Sequence, residues 1–540
     1  MAARSLVIEV IACDTTEQMR RAYLGADARA DIVELRFDQV GDLRPERLLE
    51  LRGKPKLVTM RSRQQGGGAR PSDREPVLRK ALAAGVEYLD LEFGSRDHLL
   101  LKGPGRARRI LSHHDFQGTP ADLQTLHGEM RQAGGDALLK IVTFADSAGD
   151  ILRMRDLLRS AKPGTLTGFC MGPKGIPSRI LAPLWGSAAI YAPRRGAAES
   201  APGQIALEDL FETHHFHRIS SSTRILGVLG SPVGHSLSPN VHNAALRALD
   251  LDYCYLPFEA TTVAEFLPVL SEMRLKGLSV TLPHKVAMLP HLDRLDETAR
   301  RVGAVNTVVK VWNRLEGFNT DVAAAVAPLK RRMSLRGARV AVMGAGGAAR
   351  ALVHGLTQEQ AQVTIFNRTA ARARALAREV GARSLPWERL RRFACDLLVN
   401  ATSVGFAPDI DCAPLPIAWI DSPRVYDIIY NPPETRLIRE ARARGLEVMG
   451  GLEMFVEQAA AQFVLFTGKD APTDVMREAA LRALGLRARP VEAVPGPPRA
   501  ARRAQGPSGP DRPSVRSGSS RGARRSARRK ARRRGAVRRN

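Results

Sequence analysis

No stretch of this 540-residue chain approaches the roughly 18 consecutive apolar residues that a membrane-spanning helix needs. The apolar opening, Leu6-Val7-Ile8-Glu9-Val10-Ile11, is broken by Glu9, which reads as a strand rather than a signal segment. Cysteine is scarce. Cys13, Cys170, Cys254, Cys395 and Cys412 are scattered and odd in number, with no C-x-x-C pair, which argues against a disulfide framework or a structural zinc site and points to the cytoplasm. Acidic residues are also few: 55 Asp/Glu stand against 82 Lys/Arg, a net charge of +27. That charge is not evenly spread. Residues 490–540 hold 16 Lys/Arg against 2 Asp/Glu, a surplus of 14, so about half of the excess lies in the last tenth of the chain. This segment is Arg, Gly, Ser, Pro and Ala with almost no large apolar residue, and cannot bury enough surface to offset its ordering entropy. Residues 489–540 are therefore expected to be a disordered Arg-rich tail outside the folded, functional part of the chain. Having no aromatic residue, the tail offers nucleic acid only non-specific phosphate attraction and no stacking.

The clearest signal in the chain is Ala338 to Thr369. The short apolar run Val340-Ala341-Val342-Met343 breaks into Gly344-Ala345-Gly346-Gly347-Ala348-Ala349, a helix-like pattern follows, and a second run, Val363-Thr364-Ile365-Phe366, completes β-α-β. Glycines at such a turn let the backbone approach a pyrophosphate, whose charge then sits at the positive end of the helix. Gly344, Ala345, Gly346, Gly347 and Ala348 are thus candidate cofactor-binding residues in a Rossmann domain. An acidic residue at the end of the second strand would hold a ribose 2′-hydroxyl; here that place carries Asn367-Arg368-Thr369. A guanidinium suits a 2′-phosphate, so the expected cofactor is NADP rather than NAD.

Upstream, eight short apolar runs alternate with helix-length segments: Leu6–Ile11, Ile32–Phe37, Leu57–Met60, Tyr88–Phe93, Arg109–Ser112, Leu138–Thr143, Thr165–Cys170 and Ala188–Tyr191. This alternation predicts a (β/α)8 barrel, in which polar residues at the carboxyl ends of strands are candidates for chemistry. Those ends carry Glu34, Arg36, Arg61, Glu92, His113, His114 and Lys140. Lys140 lies in an otherwise apolar strand, where an ammonium is costly unless paired or its pKa falls. Such a lysine either condenses with a ketone as a neutral amine, with His113 or His114 moving protons, or snorkels from the strand end.

Several motifs here together resemble type I 3-dehydroquinate dehydratase over residues 5 to 216: Glu34-Leu35-Arg36, Thr59-Met60-Arg61-Ser62, Ser112-His113-His114-Asp115-Phe116, Lys140, Met171-Gly172 with Ser178-Arg179, and Ser200-Ala201-Pro202-Gly203-Gln204. The resemblance implies that Lys140 forms an imine with the substrate ketone and that His114 is general base and acid. It also implies that Glu34, Arg36, Arg61, Arg179, Ser200 and Gln204 hold the substrate's carboxylate and hydroxyls. One position departs from the family pattern: Gln65 precedes Gly66-Gly67 where the family commonly has Glu, so an accessory carboxylate is missing.

A connector, His214 to Thr223, follows. Its cluster His214, His215, His217 has no accompanying carboxylate or cysteine pattern and reads as a solvated linker rather than a metal site. Beyond it lie Gly230-Ser231-Pro232-Val233-Gly234-His235-Ser236-Leu237-Ser238-Pro239, Thr281-Leu282-Pro283-His284-Lys285, Asn306-Thr307 and Gly317-Phe318-Asn319-Thr320-Asp321, a set of polar groups fit for a polyhydroxylated acid. Over Arg224 to Leu486 these resemble shikimate dehydrogenase. The resemblance implies that Ser236, Ser238, Thr281, Asn306 and Asp321 bind shikimate and that Lys285 and Asp321 form the catalytic pair. Asp427-Ile428-Ile429-Tyr430 and the segment Gly451 to Ala459 add Tyr430 and Gln458 on the substrate side.

The expectation is a two-activity enzyme without a required metal, acting on small-molecule substrates and away from membranes. Residues 1–218 form a barrel that dehydrates 3-dehydroquinate to 3-dehydroshikimate; residues 224–325 bind the substrate of an NADPH-dependent reduction to shikimate. Residues 326–488 carry the cofactor, with their last helices returning to the substrate domain. The alternatives are a second unit acting on quinate with NAD, opposed by Arg368 and the paired serines, and a barrel reduced to a binding module, opposed by the intact Lys140 and His114.

Overall fold

The computed structural model describes residues 5–102, 105–197, 201–406 and 409–486, so Ser200 and the tail 489–540 lie outside the described residues. The chain opens with eight strands: β1 (Leu6–Ile11), β2 (Ile32–Arg36), β3 (Lys56–Thr59), β4 (Tyr88–Glu92), β5 (Arg108–His114), β6 (Leu138–Phe144), β7 (Leu166–Met171) and β8 (Ala189–Pro193). They pair in the order β7-β6-β5-β4-β3-β2-β1-β8, all parallel. Between β7 and β8 no ladder forms among the described residues, but Ala188 N donates to Leu166 O at 2.8 Å and closes the ring at its base. Parallel strands covered on both faces read as continuous apolar runs. Val58, Leu89, Leu111, Leu139 and Ile141 are accordingly fully buried. β5 runs two residues beyond the expected Ser112, which puts both histidines on the strand.

The connector departs from the expectation of a solvated linker only at its start, since residues 217, 218 and 220–222 are exposed. His214 is only 8% exposed, and Leu207, Leu210 and Phe216 share one apolar cluster with Leu181 and Trp185 of the barrel and Leu229, Leu256 and Phe258 of the next sheet. Burial in this layer pushes His214 down to about 4, so its ring is neutral. Of the three histidines only His214 is buried; His215 is half-buried and His217 exposed. Ion pairs Arg155–Glu272 (2.7 Å) and Lys174–Glu265 (3.0 Å) border the same junction.

Next comes a mixed sheet of β9 (Arg224–Gly230), β10 (Tyr253–Glu259), β11 (Gly277–Val280), β12 (Arg294–Leu295), β13 (Thr307–Val311) and β14 (Arg314–Phe318), ordered β10-β9-β11-β13-β14-β12. The last sheet holds β15 (Arg339–Met343), β16 (Gln362–Phe366), β17 (Arg383–Leu385), β18 (Leu397–Asn400), β19 (Arg424–Asp427) and β20 (Glu447–Met449). It is parallel throughout, in the order β17-β16-β15-β18-β19-β20. Strand order reverses beside β15, the switch point where open α/β sheets bind ligands, and the glycine turn follows that strand. The helices Leu452–Thr467 and Thr473–Ala483 return to the middle sheet, where Phe455, Val456, Phe463 and Met476 are buried with Leu226, Val228 and Tyr255. Among the described residues, no helix is long and apolar enough to cross a membrane.

Candidate active sites

In the barrel, β5 and β6 lie in register with Ser112 opposite Lys140 and His114 opposite Val142. Strand alternation turns Ser112, His114 and Lys140 inward and His113 outward, where it meets Phe93 edge-on at 6.5 Å. One cavity is lined by Glu34, Arg36, Arg61, Gln65, His114, Lys140, Arg179, Tyr191 and Gln204. The expected site residues of this half therefore converge, apart from Ser200, which lies outside the described residues.

Lys140 does not snorkel. It is 4% exposed, with Nζ 4.0 Å from Glu34 Oε1, 3.9 Å from Asp90 Oδ2 and 3.7 Å from the ring centre of Tyr191. Burial, with Arg61 and Arg36 nearby, outweighs the two carboxylates and lowers the amine to about 8. Arg61 donates to Ser112 Oγ (2.7 Å) and Asp90 Oδ2 (2.8 Å), and Ser112 Oγ donates to Asp90 Oδ1 (2.6 Å), a closed triangle beneath the lysine. Burial would raise Asp90, but Arg61 and Lys140 hold it below the usual carboxylate range. Asp90 was not among the expected residues. Its signal is a carboxylate at a core position of Tyr-Leu-Asp-Leu-Glu, alternating with Glu92. Glu34 Oε1 accepts from Thr59 (2.7 Å), Arg36 forks onto Asp38 (2.9 and 2.8 Å), and Arg179 donates to Pro202 O (3.1 Å) with its guanidinium over Phe169.

The Gln65 departure falls on the histidine itself. A Cβ at Gly67 would meet Arg61 O at 2.1 Å, so glycine alone lets this loop cross the end of β3. The crossing brings Gln65 Oε1 to accept from His114 N (3.2 Å) and to lie 3.3 Å from Nδ1. A carbonyl oxygen there fixes the proton on Nδ1 and leaves Nε2 as the basic nitrogen. Burial, then the Arg61 and Lys140 cations, push His114 well below its usual value.

The second cavity is lined by Ser236, Ser238, Thr281, Lys285, Asn306, Asp321, Tyr430 and Gln458, the full expected set, together with Ser279, Ala348 and Gln462. Lys285 Nζ donates to Asp321 Oδ2 at 2.6 Å and Asn306 Nδ2 to Asp321 Oδ1 at 2.8 Å. Asp321 opens the helix Asp321–Lys330, whose positive end favours a carboxylate. Tyr430 stacks on Phe455 at 4.5 Å, and burial pushes its hydroxyl up to about 12. Gln462, four residues after Gln458 on the same helix face, was not expected. It accepts from Ser279 Oγ (2.7 Å), which accepts from Tyr255 (2.7 Å), and it donates to Asn306 O (3.0 Å), bracing the Asn306–Asp321 pair from behind.

The glycine turn meets the requirements of a dinucleotide. Gly344 adopts φ +115°, and a Cβ there would lie 2.6 Å from Ala401 O. Gly346 begins the helix Gly347–Gln358 with no side-chain cap, leaving its first N–H groups for phosphate. A Cβ at Gly346 would meet nothing within 4 Å, and one at Gly347 would lie 3.8 Å from Lys285 Cδ, so the turn opens beside the substrate cavity. Arg368 is exposed at the end of β16, and Asn367 Nδ2 donates to Thr369 O at 2.9 Å, shaping that corner.

Comparison with known proteins agrees with both halves. Residues 7–221 match the type I 3-dehydroquinase family. Residues 228–308 match the shikimate dehydrogenase substrate-binding domain, 327–405 the shikimate/quinate 5-dehydrogenase family, and 451–481 the shikimate 5′-dehydrogenase C-terminal domain. The chain is similar to the chloroplastic bifunctional 3-dehydroquinate dehydratase/shikimate dehydrogenase of Arabidopsis thaliana, 33% identical over 87% of this chain and 83% of that protein. It also resembles the shikimate biosynthesis protein AroDE of Chlamydia pneumoniae, 31% identical over 81% of this chain and 90% of that one. The NADP-dependent shikimate dehydrogenase of Thermus thermophilus is 45% identical over 48% of this chain and 98% of its own length.

Proposed function

The chain belongs to the family of bifunctional 3-dehydroquinate dehydratase/shikimate dehydrogenases, and on that premise we propose which of its residues carry each reaction. Lys140 attacks the ketone of 3-dehydroquinate and holds the substrate as an imine, whose positive nitrogen draws electrons from the neighbouring C–H bond. His114 Nε2 removes that proton and returns one to the departing hydroxyl, giving 3-dehydroshikimate. Glu34, Arg36, Arg61, Arg179 and Gln204 hold the carboxylate and hydroxyls, with Ser200 kept from the resemblance alone. What carries this reading is a buried lysine with a lowered pKa in the same cavity as an inward-facing histidine. Borohydride added with substrate is expected to trap an adduct on Lys140; an adduct elsewhere overturns it.

In the second cavity Ser236, Ser238, Thr281, Asn306, Tyr430 and Gln458 orient 3-dehydroshikimate, and Lys285, held by Asp321, gives its proton to the ketone oxygen. NADPH, when bound, supplies the hydride. Gly344, Ala345, Gly346, Gly347 and Ala348 would cradle its pyrophosphate, with Asn367, Arg368 and Thr369 at the 2′-phosphate. Arg368→Ala is expected to weaken NADPH by about 1.5–3 kcal/mol, roughly 10- to 150-fold, and NADH hardly at all. Binding titrations with both nucleotides check this, and equal losses remove the assignment. We place the domain limits at 1–218, 224–325 and 326–488 and the chain in the cytoplasm, whereas the Arabidopsis relative is chloroplastic.

Gln65 accepts from His114 but, being neutral, does not stabilise an imidazolium. Gln65→Glu is expected to raise the His114 pKa and to increase dehydratase kcat by about 10-fold, as charge-assisted hydrogen bonds are about twice as strong as neutral ones. The pH profile of the variant measures it; an unchanged kcat means that orientation of the ring is all this position supplies.

A further inference from the structure

The dehydratase cavity contains one polar group that the reaction as described leaves unused. Tyr191, on β8, is 5% exposed, and its hydroxyl finds no hydrogen-bond partner among the described residues. A buried hydroxyl without a partner costs about 1–3 kcal/mol, so native structures seldom keep one without a use. The position is not remote: Tyr191 lines the same cavity as Lys140 and His114, and Lys140 Nζ sits 3.7 Å from its ring centre. The ring face alone would serve the lysine equally well in phenylalanine, since the cation is held by the π-system and not by the hydroxyl. The ring also packs near Phe169, with centres 6.3 Å apart and planes tilted by 49°.

We propose that the Tyr191 hydroxyl is a further catalytic group of the dehydratase, donating a hydrogen bond to the oxygen on the carbon that joins Lys140. The inference rests on the imine reading and adds a residue to it. When the lysine nitrogen bonds the ketone carbon, the π pair of C=O moves to oxygen and a proton passes from nitrogen to that oxygen. The oxygen then leaves as water with a second proton, the one that Lys140 gives up on becoming neutral and that His114 Nε2 takes and passes on, and a positively charged C=N bond remains. Hydrolysis of the product imine runs these steps in reverse and returns the proton. Throughout, the departing or arriving oxygen lies one bond from the carbon attached to Nζ, which puts it within reach of a hydroxyl on the ring that the nitrogen covers. Tyr191 neither gains nor loses a proton overall. Burial first, then the Glu34 and Asp90 carboxylates, raise it well above its usual value, which keeps it a donor at every working pH.

The test is Tyr191→Phe in the full chain, which keeps the ring over Lys140 and removes the hydroxyl alone. Three quantities are measured: dehydratase kcat and KM, the rate of borohydride trapping on Lys140, and the thermal midpoint, with reduction of 3-dehydroshikimate as control. Expected is a roughly 10- to 100-fold fall in dehydratase kcat and in the trapping rate, a KM within about threefold, an unchanged reductase, and a midpoint unchanged or raised. A merely structural hydroxyl predicts unchanged dehydratase kinetics, and that result overturns the proposal, as does a fall in kcat that comes only with a lowered midpoint and a lost reductase. If Lys140 itself traps no adduct in the unsubstituted protein, the imine reading fails first, and the two failures are told apart.

Discussion

Lys140→Ala is expected to abolish conversion of 3-dehydroquinate, by at least about 10⁴-fold, while reduction of added 3-dehydroshikimate stays within about twofold of normal. The nitrogen that forms the covalent bond is gone, and among the described residues no other lysine lines that cavity. Lys140→Met keeps the volume of the side chain and separates the loss of the amine from any cavity left by alanine. A pH profile provides a second reading of the same group. With the amine lowered to about 8, roughly a tenth of the protein holds it neutral at pH 7, against fewer than about one in a thousand for an ordinary lysine. Because the neutral form reacts, dehydratase kcat/KM should rise about tenfold per unit up to about pH 8 and level off above it. A flat profile across that range, or surviving dehydratase activity in both variants, contradicts the assignment.

Lys140 also marks how far the sequence alone could go. The lysine was visible as a charge in an apolar strand, and the eight-strand alternation placed it inside a barrel, because parallel strands buried on both faces leave an unmistakable apolar spacing. Which of two adjacent histidines serves it was a matter of strand phase: His114 faces in and His113 out because β5 continues through both. Asp90 and Tyr191 escaped notice for opposite reasons. Asp90 sits in mid-strand, away from the strand ends where chemistry was sought, and Tyr191 closes an apolar run like core, since nothing in a sequence tells a buried tyrosine with a partner from one without. In the second half the contributing motifs are short and polar, so they stood out. Gln462 did not, because its role is to brace Asn306 through a backbone oxygen rather than to meet substrate. The start of the connector was misread for a physical reason too: histidine is equally at home in water and, when neutral, in a core, and only the packing of Phe216 and Leu210 beside His214 decides.

The second large effect is expected at Lys285. Lys285→Ala should slow reduction of 3-dehydroshikimate by roughly 10²–10⁴-fold, the usual loss for a positioned acid, with cofactor binding changed far less. The dehydratase should be untouched, because Lys285 lies in the cavity between the middle and last sheets, whose lining shares no residue with the cavity around Lys140. Asp321→Asn should give a loss in the same direction, since the amide leaves one acceptor for two donors, Lys285 Nζ and Asn306 Nδ2, and no longer holds the lysine by charge. Loss of both activities from either lysine variant in a protein that still folds would mean a composite site shared by the two halves.

The most direct test supplies the unmodified chain with 3-dehydroquinate and NADPH together and follows absorbance of the reduced nicotinamide. The account predicts steady oxidation of NADPH with shikimate as the product, abolished by either Lys140→Ala or Lys285→Ala, and restored when the two variants are mixed, because released 3-dehydroshikimate passes from one protein to the other. No oxidation by the unmodified chain, or none from the mixed variants when each alone keeps its remaining activity, would contradict it.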